Sequence, residues 1–125
     1  MERYRHKRTF VATTAAGLLV AAGCTIAPKT FFDVRNPAPL VRARASQMGG
    51  PLSDEVVVPS LIERLDDPDS VVRLTSFDEL KQRTGQDFGY KPWLDAPERA
   101  VAVGKWRAWW EANRGNALAK DRRIP

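Results

Sequence analysis

Hydrophobic positions between residues 53 and 83 fall into two helical stripes. Val57, Val58, Leu61, Ile62 and Leu65 recur at helical spacing and predict one apolar helix face over about 53–66. Asp54 and Glu55 sit in its first turn, where the helix dipole favours acids. Pro59 lies inside this helix; it lacks a backbone donor and crowds the preceding turn, so a bend is expected there. "DDPD" at residues 66–69 then reads as a tight turn, with Pro68 fixing φ and Asp67 or Asp69 accepting N–H groups at the next helix start. Val71, Leu74, Phe77 and Leu80 predict a second helix over about 70–83, closed by Gly85. Residues 84–93 read as a Gly- and Pro-punctuated loop. A third helix is expected over about 96–113, with Asp95 as N-cap, Pro97 in the first turn and Glu98 completing an approximate capping box. Val103, Trp106 and Trp110 share one face of it, while Val101 and Trp109 lie off that face. Gly115 is expected to stop it, leaving 115–125 as a flexible basic tail.

The wording of the first two helices also occurs 31 residues earlier. With Pro28 laid on Pro59, Asn36 falls on Asp67, Pro37 on Pro68, Val41 on Val72 and Arg42 on Arg73. Phe31 meets Ile62, Val34 meets Leu65, Leu40 meets Val71, and Ala45 meets Ser76. A fixed period in this size range is the mark of a solenoid. The predicted fold is therefore all-α. It comprises a first unit over 24–50, a second over 51–85, a compact Gly49-Gly50-Pro51 break between them, and 86–114 as loop plus capping helix. One more step of 31 fails, since Tyr90 stands for the Pro and Gly104 for the Arg. A stack of two units leaves an apolar end face, and the Trp-rich helix is suited to cover it.

These residues resemble the HEAT repeats. Helix pairs of that family carry a Pro in the first helix, an Asp at the turn and a Val-Arg pair early in the second helix. Pro59, Asp67, Val72 and Arg73 match that pattern, as do Pro28, Asn36, Val41 and Arg42 with Asn in place of Asp. The resemblance covers about 26–85. It implies a short α-solenoid that works as a protein-interaction or scaffold module. It also implies an inter-repeat ladder linking Arg42 or Arg73 to Asp67 or Asn36. The loop and "WRAWW" helix look like a segment that follows HEAT units in certain bacterial repeat proteins.

The charge of +5 suggests an anionic partner until its placement is considered. Residues 1–23 hold Arg3, Arg5, Lys7 and Arg8 against Glu2, and the remainder sets 16 basic residues against 14 acids. A mixed-sign surface of that kind gives no reason to expect nucleic acid. The basic start, the uncharged 9–27 stretch and "VAAGC" have the layout of an export signal. They resemble a bacterial lipoprotein signal, with Ala21 where Leu is usual. That resemblance implies cleavage after Gly23 and a lipid such as palmitate on Cys24. Alternatives are an ordinary cleaved signal and an uncleaved membrane anchor. All three put the rest of the chain outside the cytoplasm. In a two-membrane envelope, Thr25 in place of the inner-membrane retention Asp points to the periplasmic face of the outer membrane.

The chain has one Cys, Cys24, and one His, His6. Cleavage at Gly23 removes the His and commits the Cys to lipid. The usual general base, zinc ligands and thiol nucleophile go together, so no enzyme, metal or cofactor is expected. Asp87, Asp95 and Glu98 are the acids that look paired, and each has a turn or cap to occupy it. Asp-Phe-Gly at 87–89 occurs without any other kinase motif. Tryptophan offers the sharper possibility, because aromatics anchor binding hot spots. Trp106 and Trp110 belong to the core stripe, whereas Trp93 and Trp109 stand evenly between core and a surface for glycan or peptide. A third possibility is phosphate or membrane contact through Arg114, Lys120, Arg122 and Arg123. The expected function is a lipid-anchored, non-catalytic scaffold with a protein partner still to be identified, and a glycan-binding module is the alternative.

Overall fold

The turn at residues 66–69 sets the geometry of the chain. Asp69 accepts the N–H groups of Val71 and Val72 at 2.9 and 3.1 Å, which starts the following helix at Ser70. The computed structural model describes residues 27–122, with the side chains of Lys120 and Asp121 left out. Residues 1–26, including Cys24, and residues 123–125 lie outside that range. Regular structure among the described residues is entirely helical. A 3₁₀ turn at Phe31–Arg35 leads into α1 (Pro39–Ala45), which a second 3₁₀ turn extends over Ser46–Met48. Then come α2 (Asp54–Arg64), α3 (Ser70–Thr84) and α4 (Ala96–Asp121).

α1 packs on α3, and α4 packs on α2, with α2 and α3 joined as a hairpin. The core lies between these layers. It gathers Phe31 and Val34 from the first turn, Val57, Val58, Leu61, Ile62 and Leu65 from the α2 hairpin, Phe77 and Leu80 from α3, and Val103, Trp106 and Trp110 from α4. Pro59 sits inside α2 as expected from the sequence. Gly85 ends α3 in the left-handed conformation, φ 72°, which only glycine adopts without strain. Gly49 is needed for space: a Cβ there would lie 2.8 Å from a Val57 methyl.

Burial repeats with the 31-residue period. Phe31 and Ile62 are both buried, as are Val34 and Leu65, Val41 and Val72, Arg42 and Arg73, and Ala45 and Ser76. Leu40 and Val71 are both exposed, at 45% and 51%.

Three expectations need correction. Among the described residues the first unit has no full first helix, only the 3₁₀ turn at Phe31–Arg35. Side chains three apart eclipse in such a turn, so Phe31 and Val34 reach the core without one. Second, α3 does not bury the stripe through Val71 and Leu74. Its buried face is Val72, Arg73, Ser76, Phe77 and Leu80, and Leu74 is 43% exposed. Third, Gly115 does not stop α4, which continues to Asp121. Glycine inside a helix costs only about 1 kcal/mol relative to alanine. Ala117, beyond it, packs against the core and helps to offset that cost.

Tyr90 ties the loop before α4 to the end of α2. Its hydroxyl donates to the Leu65 carbonyl at 2.6 Å, and its ring centroid lies 5.2 Å from that of Phe77. Burial pushes the phenol up to about 12, from an ordinary 10.0, with Arg99 and Arg73 opposing part of the rise. The sign follows from linkage. Above pH 10 the unfolded chain releases this proton and the folded chain keeps it, so stability is complete below 10 and falls as pH rises toward 12. Urea titrations in that alkaline range should show the decline, and Tyr90→Phe should flatten it.

Candidate interaction surface

Three arginines organise the helix starts. Arg42 and Arg73 each occupy the fourth position of their helix and reach back over their own turn. Arg42 Nη1 donates to the carbonyls of Asn36 and Pro37 at 2.8 and 2.9 Å. Arg73 Nη1 donates to the carbonyls of Asp67 and Pro68, the equivalent positions, at 2.7 and 3.0 Å. Arg99, fourth in α4, donates in the same way to the Leu94 carbonyl five residues back. The sequence reading missed Arg99 because it falls off the 31-residue period. The readable signal is an arginine at the fourth position of α1, α3 and α4.

The remaining donors reach beyond their own helices. Arg42 Nε and Nη2 hold the two carboxylate oxygens of Asp67, each at 2.9 Å, in a buried fork. Arg73 Nε donates instead to the Pro92 carbonyl at 2.8 Å. Asn36 does not join the ladder through its side chain: its Oδ1 accepts from the Ala38 N–H at 2.9 Å. Asp67 makes the same turn contact with the Asp69 N–H at 3.0 Å and carries the Arg42 fork as well. Of the four candidate ladder residues, Arg42 and Asp67 are therefore the two whose side chains meet.

The Arg73–Pro92 bond has a consequence at the surface. It fixes the loop before α4 against the start of α3, and Tyr90 holds the same loop from the other side. Pro92 is buried, and Trp93, next to it, is 72% exposed. Together with Ser70, Val71 and Leu74 they line an open, mainly apolar groove of about 250 Å³. The two apolar side chains that α3 withholds from the core thus become groove wall.

Trp109 is placed elsewhere. It is partly buried among Phe88, Trp106 and Trp110, with ring centroids 6.3, 5.9 and 6.4 Å away. It borders a different, more polar groove with Asp54, Arg83, Asn113 and Asn116. Trp93 and Trp109 therefore line no common groove.

No family model, curated protein or solved structure matches this chain.

The acids considered for chemistry are engaged locally. Asp87 accepts the Gly89 N–H at 2.7 Å and pairs with Lys81 at 3.4 Å, the two contacts that hold its carboxyl below the usual range. Asp95 accepts the Glu98 N–H at 3.0 Å at the start of α4. Among the described residues no three His, Cys, Asp or Glu side chains cluster to hold a metal, and no helix is long and apolar enough to cross a membrane. Of the tail cations, Arg114 pairs with Glu111 at 3.4 Å and Arg122 is exposed. Arg123 lies outside the described residues.

Proposed function

We propose that this chain is a non-catalytic lipoprotein, anchored through Cys24, whose HEAT-like units form a short α-solenoid that binds a protein partner in the cell envelope. The observation that carries this reading is the groove of Val71, Leu74, Pro92 and Trp93. An exposed tryptophan beside two aliphatic side chains is costly to leave in water and suits a partner's apolar side chain. The groove is built on rigid parts, because Arg73 and Tyr90 pin the loop that presents it. A pre-formed surface loses little entropy on binding. The proposed location is the periplasmic face of the outer membrane where the envelope has two membranes.

Photocrosslinking tests the partner. A photoreactive residue at position 93 of the full chain, irradiated in native membranes, should give a discrete protein adduct. That adduct should vanish with Leu74→Asp, and a probe at exposed Lys105 should not produce it. Identical adducts from positions 93 and 105 would overturn the reading. Trp93→Ala should leave stability within about 0.5 kcal/mol, as expected for an exposed side chain. For the glycan alternative, Trp109 is partly buried and borders a groove separate from that of Trp93. Unchanged retention of the Trp93→Ala, Trp109→Ala double variant on envelope polysaccharide would remove the alternative.

A further inference from the structure

Among the described residues, α4 covers one side of α2, while the side formed by the first 3₁₀ turn carries exposed apolar side chains. The short 3₁₀ turn covers less than a helix would, and Phe32 is 60% exposed and Met48 37% exposed. With Pro51, Leu52 and the Lys29 stem they line an apolar groove of about 310 Å³. A contiguous patch of this kind, unlike one exposed leucine, calls for an occupant.

The chain itself indicates which occupant. Ala27, the first described residue, is three residues after Cys24. Three extended residues span at most about 11 Å. A lipid on Cys24 would therefore hold this end of the domain within roughly a nanometre of the headgroups. Charge agrees with that placement. Lys29 and Arg35 are both exposed and flank Phe32 at three-residue spacing. Within the 3₁₀ turn Phe32 and Arg35 eclipse, so a ring and a cation share one edge. The intervening acid turns back onto the chain, where Asp33 accepts the backbone N–H groups of Lys29 and Thr30 at 2.6 and 3.2 Å; it stays ionised, and the two cations outnumber it. An aromatic set between cations fits the boundary of an anionic bilayer, with the ring inserted and the cations at the phosphates. A second copy fits less well, because a two-fold interface would bring two Lys29/Arg35 pairs together.

We infer that the end face formed by Phe32, Met48 and Leu52 rests in the interface of an anionic bilayer. This inference builds on the lipid-anchor reading, and the two fail separately. The full chain would be placed in phosphatidylethanolamine–phosphatidylglycerol vesicles containing brominated lipid. It would carry a fluorescent amino acid at position 48 or, as reference, at position 105. Quenching at 48 should exceed that at 105 by about threefold or more, as for a side chain at the acyl boundary. Phe32→Asp, a change at an exposed position, should reduce that excess while leaving the helical circular dichroism intact. Equal quenching at the two positions overturns the inference, and so does a photo-adduct joining position 48 of two copies. Palmitate labelling of the wild type and of Cys24→Ser reports on the anchor independently. Labelled Cys24 with unquenched position 48 defeats the face alone, whereas equal labelling of both proteins defeats the anchor.

Discussion

Asp67→Ala is expected to destabilise the folded chain by about 3–5 kcal/mol, the cost of removing one partner from a buried ion pair. Asp67 is buried and serves several donors at once. It takes Arg42 Nε and Nη2 at 2.9 Å each, the Asp69 N–H at 3.0 Å and Arg64 Nη1 at 3.5 Å. Alanine would leave the buried Arg42 fork facing no acceptor and would undo the turn that starts α3. Asp67→Asn keeps the shape and the turn contact but removes the charge. Its cost should be smaller, about 1.5–3 kcal/mol, the range for a charge-assisted hydrogen bond. Replacing Arg42 by Met and Asp67 by Leu together should cost less than Asp67→Ala alone, since no charge is then stranded. Urea unfolding of the full chain in mild detergent measures all three.

Trp106→Ala is the second large effect, about 3–5 kcal/mol, typical of emptying a buried aromatic site. Trp106 is fully buried on α4, with Phe88 edge-on at a centroid distance of 4.9 Å and Trp109 at 5.9 Å. It is the main wedge between α4 and the α2 hairpin, so its loss should loosen the whole cap. Hydrogen exchange should show α4 opening while α1 and α3 stay protected. Trp106→Phe should cost less. It keeps a ring in the site and removes an indole N–H that has no hydrogen-bond partner in the structure. If Trp106→Ala melted α1 as readily as α4, α4 and the rest of the fold would be one cooperative unit.

Local chemistry was the legible part of this chain. The Asp69 cap, the Gly85 stop and the Asp95 cap each depend on a few neighbouring residues, and the structure has all three. Trp106 and Trp110 were readable as core because helical spacing aligns them with Val103. Rotation of a helix about its own axis was not readable. Periodicity assigns Val71 and Leu74 to a stripe but does not say which stripe faces the core. That choice follows from Arg73, whose buried bonds to Asp67, Pro68 and Pro92 turn α3 so that Val72 faces inward. The groove beside Trp93 was invisible for the same reason. A strict period also hid Arg99, and an ordinary helix rule overestimated the stopping power of Gly115, where Ala117 still has core to touch.

The buried contact between Arg42 and Asp67 ties α1 to the turn between α2 and α3, and a double-mutant cycle reads it directly. Arg42→Ala, Asp67→Ala and the double variant are each unfolded in urea beside the wild type. A coupling energy of about 1.5 kcal/mol or more is predicted, as for residues bonded to one another. Additivity within about 0.5 kcal/mol, the behaviour of distant sites, would contradict it.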